Sequence, residues 1–242
     1  MNKVIHGDCL EVMPSIPDKS IDMILCDLPY GTTACKWDTI IPFEPLWKEY
    51  KRLIKDNGAI VLTANQPFTS ILINSNLPMF KYCWVWDKVR GSGFQVAKYR
   101  PMMRHEDVCV FGKGRVEYNP LMTKRDKPVK GRVASSSESS PLKYSDGITR
   151  TYTHKNPDSV IVFPKPSNAL HPTQKPVTLF EYLIKTYTNE GETVLDNCAG
   201  SGTTAIACIN TNRNYILIEK EQEYIGIINK RISEHEKQLA II

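Results

Sequence analysis

A strand-like apolar segment at residues 21–26 ends on the sequence Asp27-Leu28-Pro29-Tyr30. These residue types together could recognise an exocyclic amine. A carboxylate accepts a hydrogen bond, a loop stiffened by proline presents a backbone carbonyl, and an aromatic ring stacks on a base. The same types are common in a turn that merely ends a strand. The segment therefore predicts either an amine-binding site or an ordinary turn.

A second segment of this kind lies towards the carboxyl end, where apolar residues 193–195 precede Asp196 and a loop containing Gly200 and Gly202. Glycines one residue apart let a ligand approach the backbone, and a helix that begins there offers free N–H groups. Glu219 ends the next apolar stretch, where a carboxylate can accept both hydroxyls of a ribose. The pattern predicts a cofactor that contains a nucleoside, although a structural turn is the alternative.

The sequence GSGTTA of residues 200–205 leaves two cofactor classes open. Ala205 could supply the third small residue of a pyrophosphate-binding loop, which keeps a dinucleotide as an alternative. Asp196 would lie at the mouth of that site, where a carboxylate repels pyrophosphate but attracts the cationic amino-acid part of S-adenosylmethionine. The charge therefore favours the sulfonium cofactor.

Strands and helices alternate around these two segments. The predicted strands are 3–6, 21–26, 59–63, 79–86, 107–111, 193–196 and 215–219. The predicted helices are 44–55, 67–75, 176–187, one that ends near 210, and 221–238, and Asn57-Gly58 is expected to end the first of them. This order predicts an α/β protein with a doubly wound, mostly parallel sheet that binds ligands at the carboxyl ends of its strands.

The composition is that of an ordinary globular protein. Of 242 residues, 41% are hydrophobic and 24% are charged, which suits one large domain with a modest insertion. We expect a cytoplasmic protein, because no apolar run approaches the roughly 18 residues of a membrane span and the N-terminal residues do not resemble a secretion signal. The seven cysteines lack the spacing of a disulfide framework or metal site, and His105 and His154 lack neighbours that could share a metal, so we expect none.

Positive charge is concentrated in the middle of the chain, within residues 98–155, while the whole chain carries a net charge of +5. Regular patterning is lost from about 113 to 165, a stretch that contains SSSESS at 135–140. Such a segment is either a flexible solvated loop or a surface that binds a polyanion.

Three segments together resemble the amino-methylating DNA methyltransferases. Residues 27–30 resemble the (D/N/S)PP(Y/F) motif of these enzymes, residues 196–202 resemble their FxGxG cofactor loop, and HPTQKP at 171–176 is similar to the segment that precedes their cofactor-loop strand. The order of the three segments is that of the permuted beta group. Leu28 replaces a proline but still supplies a carbonyl, and Asn197-Cys198-Ala199 replaces the usual Pro-Phe-x while the loop keeps its carboxylate and both glycines.

The resemblance implies a circularly permuted fold of the S-adenosylmethionine-dependent methyltransferase type. Residues 1–112 would form the catalytic half, 113–165 a target-recognition insert, and 166–242 the cofactor-binding half. The SSSESS run and the prolines of the insert predict a loop that becomes ordered only on DNA. The expected cofactor is S-adenosyl-L-methionine and the expected partner is double-stranded DNA. A homodimer and a cognate restriction endonuclease are further partners that the resemblance leaves open.

The resemblance also assigns roles to single residues. Asp27 and the Leu28 carbonyl would bind the target amine, Tyr30 would stack on the base, and Asp8 would lie near the cofactor's adenine amine unless it only caps a helix. The expected catalytic residues are Asp27, Leu28, Pro29 and Tyr30. The expected cofactor-binding residues are Asp8, Thr173, Asp196, Ala199, Gly200, Gly202, Thr203 and Glu219.

The expected DNA contacts are Arg104, Lys124, Arg125, Lys127, Lys130 and Arg132. Three aromatic residues either line the base pocket or pack in the core, namely Trp84, Trp86 and Phe94.

An Asp that opens the motif goes mostly with adenine N6 in the family, so the resemblance favours direct methyl transfer to adenine N6 of a flipped base. Cytosine N4 is the alternative. Two other classes are a nucleotide-cofactor oxidoreductase on a similar sheet and a DNA-binding module without turnover. An oxidoreductase has no use for Asp-x-Pro-Tyr beside its cofactor, and an inactive module would not be expected to keep both the Asp27 and the Asp196 segments.

Overall fold

The computed structural model describes residues 2–32, 38–132, 148–166 and 174–241. The chain divides into two compact units, and each is described by itself. The first unit comprises Met1–Asn119 and Ser159–Ile242, and the second comprises Pro120–Asp158.

The described strands and helices follow the predicted alternation closely. The strands are β1 (Lys3–His6), β2 (Ile21–Asp27), β3 (Ile54–Ala64), β4 (Phe80–Ser92), β5 (Met103–Phe111), β6 (Thr123–Arg132), β7 (Thr149–Lys155), β8 (Val160–Val162), β9 (Thr193–Asp196) and β10 (Asn214–Glu219). The helices are α1 (Cys9–Val12), α2 (Phe43–Leu53), α3 (Phe68–Ser75), α4 (Val177–Tyr187), α5 (Thr203–Asn210) and α6 (Gln222–Leu239). Among the described residues, no helix is both long enough and apolar enough to cross a membrane.

The first unit is built on one sheet with the strand order β1-β10-β9-β2-β3-β5-β4-β8. The strands from β1 to β3 in that order are parallel to their neighbours, and β5 is antiparallel to both β3 and β4. This arrangement confirms the predicted doubly wound, mostly parallel sheet. The chain winds outwards in both directions from the adjacent strands β2 and β9, so the carboxyl ends of these strands flank a ligand-binding crevice.

Apolar side chains cover both faces of the sheet. Strand β2 is buried along almost its whole length, and alternate residues enter different clusters. Met23 and Leu25 pack in the cluster that contains α4 and α5, whereas Ile24 and Cys26 pack in the cluster that contains α2. A strand with period-two alternation buries both of its faces only between two layers of helices. The core therefore fixes the position of the β2 carboxyl end.

The predicted end of the first long helix is wrong. Helix α2 ends at Leu53, and β3 begins at Ile54, whose buried side chain lies beside β2 and whose backbone pairs with Ile21. A Cβ at position 58 would lie 2.7 Å from the carbonyl oxygen of Asp22, so Gly58 allows two strands to approach closely. The glycine that seemed to end the helix is required inside the strand instead.

The second unit contains the antiparallel pair β6 and β7, in which Thr123 lies opposite Lys155 and Lys130 lies opposite Thr151. This pair contradicts the prediction that the whole insert is a loop ordered only on DNA. Backbone pairing forms the hairpin although its side chains are almost all exposed, so no apolar alternation marks it in the sequence. The compact unit is also narrower than the predicted insert, and β8 belongs to the large sheet beside β4. The SSSESS run lies outside the described residues.

Candidate active site

A cleft of about 700 Å³ opens at the carboxyl ends of the parallel strands. Both chemically distinctive segments of the sequence line it, because β2 and β9 are neighbours in the sheet. The lining includes these predicted site residues: Asp8, Asp27, Leu28, Pro29, Tyr30, Asp196, Ala199, Gly200, Thr203 and Glu219. The strand order thus brings together residues that are separated by most of the chain.

The Asp27 carboxylate lies in the cleft with both of its oxygens engaged. Its Oδ1 accepts hydrogen bonds from the Tyr30 hydroxyl at 2.7 Å and from the Thr63 hydroxyl, which lies opposite Asp27 on β3. Its Oδ2 lies 2.5 Å from the ammonium of Lys175. Three donors from separate parts of the chain therefore orient the carboxylate.

The Tyr30 ring packs on Phe68, with 5.0 Å between the ring centroids and 25° between the planes. Burial raises the pKa of Tyr30 well above its usual value, so the phenol remains a hydrogen-bond donor to Asp27. Phe68 covers one face of the ring. A base could stack only on the opposite face.

A chain of buried charges continues from Asp27 into the protein. The Lys175 ammonium lies 3.5 Å from Glu106 Oε2, and the Lys88 ammonium lies 3.1 Å from Glu106 Oε1. The side chains of Lys88 and Lys175 are only 2% and 7% exposed. Burial alone would raise the pKa of Glu106, but the two lysines outweigh it and the pKa is lowered. Burial opposes the charge of Lys175 as well, yet Asp27 and Glu106 raise its pKa, so both groups are ionised at neutral pH.

Sequence reasoning missed this chain of charges. Lys175 is part of the segment HPTQKP, but no pattern in the sequence singled out Glu106 or Lys88. Lys175 and Asp27 are 148 positions apart, so no spacing rule connects them. The parallel order of the sheet creates the contact.

The Asp196 carboxylate is 3% exposed and holds the glycine-rich loop. It accepts a hydrogen bond from the Thr204 hydroxyl and another from the Cys198 backbone N–H at 3.1 Å. Burial raises its pKa to about 6, and the hydrogen bonds only partly oppose that effect. Although Asp196 lines the cleft as predicted, its hydrogen bonds go to the loop and the first turn of α5.

Glu219 accepts hydrogen bonds at both oxygens, from Gly200 N–H at 2.7 Å and from Glu221 N–H at 2.9 Å. Burial raises its pKa, while these backbone donors oppose the rise. A carboxylate has about four acceptor positions, so two of them are left for hydroxyl donors of a ligand. This geometry fits the predicted contact with a ribose.

Asn197, at the position where the family usually has proline, has a structural function in the cofactor loop. Asn197 is 2% exposed, and its Oδ1 accepts a hydrogen bond of 2.5 Å from Tyr50 of α2. Neither residue was predicted as part of the site. The bond ties the loop to the helix on one face of the sheet, so Asn197 supplies an anchor that the sequence did not reveal.

Gly202 does not line the cleft. Its φ is +77°, it precedes the first residue of α5, and a Cβ there would lie 3.1 Å from Ile228. The residue therefore permits a left-handed turn packed against α6.

Asp8 accepts a hydrogen bond of 2.9 Å from Leu10 N–H, so its helix-capping function is observed, and it lines the cleft as well.

The predicted DNA contacts are distributed over both units. Arg104 donates two hydrogen bonds of 2.8 Å to Asp87, so its charge is already paired. The β6 residues Lys124, Lys127 and Lys130 are exposed. Arg125 donates to the His154 carbonyl, and Arg132 is the last residue of β6. Thr173 lies outside the described residues.

The three aromatic residues left open by the sequence differ in position. Trp84 and Trp86 are buried in the core, and Trp86 also lines the cleft, whereas Phe94 is 78% exposed. In the part of the chain that the structure describes, no group of three or more His, Cys, Asp or Glu side chains could hold a metal ion.

A doubly wound sheet, a glycine-rich cofactor loop and an Asp-x-Pro-Tyr segment on the adjacent strand define an amino-methyltransferase class. Residues 21–230 match the profile of the N6/N4 methyltransferase family, described as DNA methylase. The chain therefore belongs to the N6/N4 DNA methylase family, which confirms the resemblance seen in the sequence.

Two relatives match nearly the whole chain. The "DNA adenine methyltransferase YhdJ" of Escherichia coli (strain K12) is 30% identical over 249 residues, which cover 95% of this chain and 82% of that protein. The "Type II methyltransferase M.HpaI" of Haemophilus parainfluenzae is 28% identical over 245 residues, which cover 95% of this chain and 74% of that protein.

Solved structures share the fold. M1.HpyAVI in its SAM complex has a TM-score of 0.63 and 24% identity, and the match covers 96% of this chain and all of that one (100%). The PvuII DNA methyltransferase, described as cytosine-N4-specific, has a TM-score of 0.67 and 16% identity. The match covers 98% of this chain and 92% of that one. At these identities the similarity supports the fold alone.

S-adenosyl-L-methionine is the cofactor that the family implies. The cleft fits this group, because Glu219 keeps acceptor positions for ribose hydroxyls and Gly200 has no side chain to obstruct the loop. Asp8 pairs with Lys220 at 3.3 Å, but Asp196, Glu219 and Glu221 still give this end of the cleft an excess of carboxylates, which matches a cationic sulfonium and disfavours a pyrophosphate. The dinucleotide alternative therefore loses its support.

Proposed function

We propose that the protein transfers a methyl group from S-adenosyl-L-methionine to N6 of adenine in double-stranded DNA. The observation that carries this proposal is the position of Asp27, a carboxylate oriented by Tyr30 and Thr63 in the same cleft as the cofactor loop. Cofactor and acceptor can therefore meet without a covalent enzyme intermediate.

The residues of the chain act on the amine. Asp27 and the Leu28 carbonyl accept hydrogen bonds from its two N–H groups, which favours a pyramidal nitrogen whose lone pair is no longer delocalised into the ring. Asp27 keeps its hydrogen bond to the nitrogen while the positive charge develops there. When bound, the cofactor supplies the electrophilic methyl group. Transfer would form the N–C bond as the S–C bond breaks and the sulfonium becomes a thioether, and Asp27, hydrogen-bonded to the nitrogen, would take the proton that the nitrogen loses and release it to water.

A base in a duplex cannot reach this cleft, so the target nucleotide must leave the stack. We propose that residues 1–112 and 166–242 form the two halves of the catalytic domain and that the insert 113–165 binds the DNA. The exposed lysines of β6 support this function, because each phosphate that is neutralised adds affinity that salt removes. Arg104 is the weakest of the proposed contacts, since Asp87 already pairs with it.

Two observations favour adenine over cytosine. The motif opens with Asp27, which goes mostly with adenine N6 in the family, and a relative at 30% identity is called a DNA adenine methyltransferase. Cytosine N4 is the second candidate, because the same pair of acceptors can hold either amine. A cytoplasmic location, a homodimer and a cognate restriction endonuclease stay predictions.

The test uses the purified protein, S-adenosylmethionine with a tritiated methyl group, and DNA of varied sequence. After transfer, the DNA is digested to nucleosides and the labelled nucleoside is identified. We expect N6-methyladenine. Labelled N4-methylcytosine would overturn the choice of base, and no transfer to any DNA would overturn the proposed activity.

A further inference from the structure

The most unusual feature of the cleft is that the Lys175 ammonium pairs with Asp27, the carboxylate that should bind the target amine. Asp27 Oδ1 already accepts two hydrogen bonds, from Tyr30 and Thr63, so the amine must use Oδ2. That oxygen is the one that Lys175 holds at 2.5 Å. A carboxylate oxygen that is paired with an ammonium is a weaker acceptor for a neutral amine. Oδ2 keeps one acceptor position, but Lys175 weakens it as an acceptor for the target amine.

A second acceptor for this ammonium lies nearby. Glu106 Oε2 is buried, has no hydrogen-bond partner among the described residues, and lies 3.5 Å from the Lys175 nitrogen. An ion pair at 3.5 Å becomes a full hydrogen bond after a shift of less than about 1 Å. Buried polar atoms without a partner are rare, so this oxygen needs an explanation.

Lys88 holds the Glu106 side chain in place. Its ammonium donates to the other oxygen, Oε1, at 3.1 Å, and its side chain is 2% exposed. Glu106 and Lys88 lie on the adjacent strands β5 and β4, within the rigid sheet. The pair therefore presents Oε2 towards Lys175 at a fixed position.

We propose that Lys175 is a positioning residue with two sites, which pairs with Asp27 when no base is bound and moves to Glu106 Oε2 when the target amine enters. The inference rests on the proposed function of Asp27 as acceptor of the amine, and it applies to adenine and cytosine alike. The ammonium keeps its three protons in both sites, so no bond forms or breaks in this step. Entry of the base exchanges one hydrogen bond to Oδ2 for another, and Glu106 compensates the displaced charge.

The test is the rate of a single round of methyl transfer by the full chain, at saturating cofactor and DNA. In Glu106→Gln the ammonium has no second carboxylate and stays on Asp27. A hydrogen bond to a charged group contributes about 1.5–3 kcal/mol, so we expect the rate to fall about 10- to 100-fold. Cofactor affinity should change little, because the polar contacts of Glu106 among the described residues are with Lys88 and Lys175 and not with the cofactor loop.

The decisive variant adds a second substitution that should restore activity. In Lys175→Met/Glu106→Gln the competing cation is absent, one charge of each sign is removed, and Asp27 Oδ2 is free for the amine. We expect this variant to be about tenfold faster than Glu106→Gln alone, which corresponds to about 1.4 kcal/mol. A double variant as slow as Glu106→Gln would overturn the inference, because a purely structural ion pair gives no such recovery.

A third variant keeps the positive charge at position 175, so that an effect on transfer can be told apart from a loss of folding. Lys175→Arg preserves the cation but can bind Asp27 with two parallel hydrogen bonds, so we expect slower transfer with an unchanged unfolding transition. Transfer at the wild-type rate in Lys175→Arg would also count against the inference. The matched control is Glu49→Gln, which breaks a comparable pair with Arg52 on α2, away from the cleft, and should leave the rate unchanged.

Asp27→Ala, measured in parallel, separates failure of the inference from failure of the proposed function. If Asp27→Ala transfers methyl groups as fast as the wild type, Asp27 is not the acceptor and the proposed function fails. If Asp27→Ala is inactive and the double variant shows no recovery, the proposed function stands and only the two-site behaviour of Lys175 is wrong.

Discussion

The acceptor region around Asp27 and the cofactor region around Asp196 are built in different ways, although both carboxylates end adjacent parallel strands. Asp196 takes its hydrogen bonds from Thr204 and Cys198, within the next eight residues. Asp27 takes one from Thr63 on β3 and another from Lys175, which is 148 positions away. The Asp196 carboxylate is therefore oriented by local contacts, whereas the Asp27 carboxylate is oriented mainly by groups that only the assembled sheet brings to it.

The two regions also differ in how they manage buried charge. Among the described residues, no lysine or arginine donates a hydrogen bond to Asp196, and burial raises its pKa to about 6. Asp27 has the Lys175 ammonium at 2.5 Å, in a chain of alternating charges. A buried charge is costly unless it is paired. The cofactor region therefore buries a carboxylate at a cost that grows as Asp196 loses its proton, whereas the buried charges of the acceptor region are paired with one another.

The largest expected effect is on catalysis and confined to the acceptor region. Asp27→Ala should lower the rate of methyl transfer at least about 100- to 1,000-fold, as for loss of one preorganised polar group at a reacting centre. Cofactor affinity should change little, because the cofactor is held at the other region. Asp27→Asn should be intermediate, since an amide oxygen still accepts a hydrogen bond but without the charge. Transfer rates and cofactor titrations on the three proteins check this.

The next effect is on stability and belongs to the cofactor region. The raised pKa of Asp196, about 6 against an ordinary 3.8, means that the folded protein keeps this proton to higher pH than the unfolded chain. Between those values the unfolded chain binds fewer protons, so the group lowers stability as pH rises from about 4 to about 6. The full contribution is at most about 3 kcal/mol.

Asp196→Asn removes this titration. We expect the free energy of unfolding of the wild type, relative to the variant, to fall as pH rises from 4 to 7, as measured by urea unfolding at each pH. A difference between the two proteins that is independent of pH would show that the buried carboxylate is not the source.

A smaller effect is expected on DNA binding by the second unit. The acceptor and cofactor regions of the cleft should not be affected. Replacement of Lys124, Arg125 and Lys127 together by Gln should weaken DNA binding and flatten its salt dependence by up to about one unit of slope for each lost phosphate contact. Binding measured at several salt concentrations, with a cofactor titration alongside, checks this.

A matched control removes three exposed lysines from helices of the first unit, Lys48, Lys51 and Lys237. The control should leave the salt slope unchanged. An unchanged slope in the β6 variant, or loss of its cofactor binding with DNA affinity retained, would show that the insert does not bind the DNA.

The smallest effect tests one of the distant contacts of the cofactor loop, the hydrogen bond between Tyr50 and Asn197. Tyr50→Phe removes the hydrogen bond to Asn197 and leaves its buried side-chain oxygen without this donor. We expect about 1 kcal/mol of lost stability, or about a fivefold weaker cofactor affinity, with an unchanged transfer rate at saturating cofactor. A changed rate at saturation would mean that the two regions are coupled more tightly than their contacts indicate.

Much of the fold could be predicted because the strands of a doubly wound sheet are nearly continuous apolar runs. Strand β2 and helices α3 and α4 lie almost where the patterning placed them. The hairpin of β6 and β7 could not be predicted, since its strands are exposed and polar and carry no alternation. Gly58 misled because a glycine that ends a helix and one that lets two strands approach closely look alike in sequence.

The sequence by itself determined the class of chemistry. Asp27 to Tyr30 and the loop from Asp196 to Gly202 are local segments, and a local segment carries its own turn and its own carboxylate. The tertiary structure alone decided which charge faces Asp27. Lys175 reaches it because the first and last parts of the chain form adjacent parallel strands, and a contact set by strand order has no spacing in the sequence to reveal it.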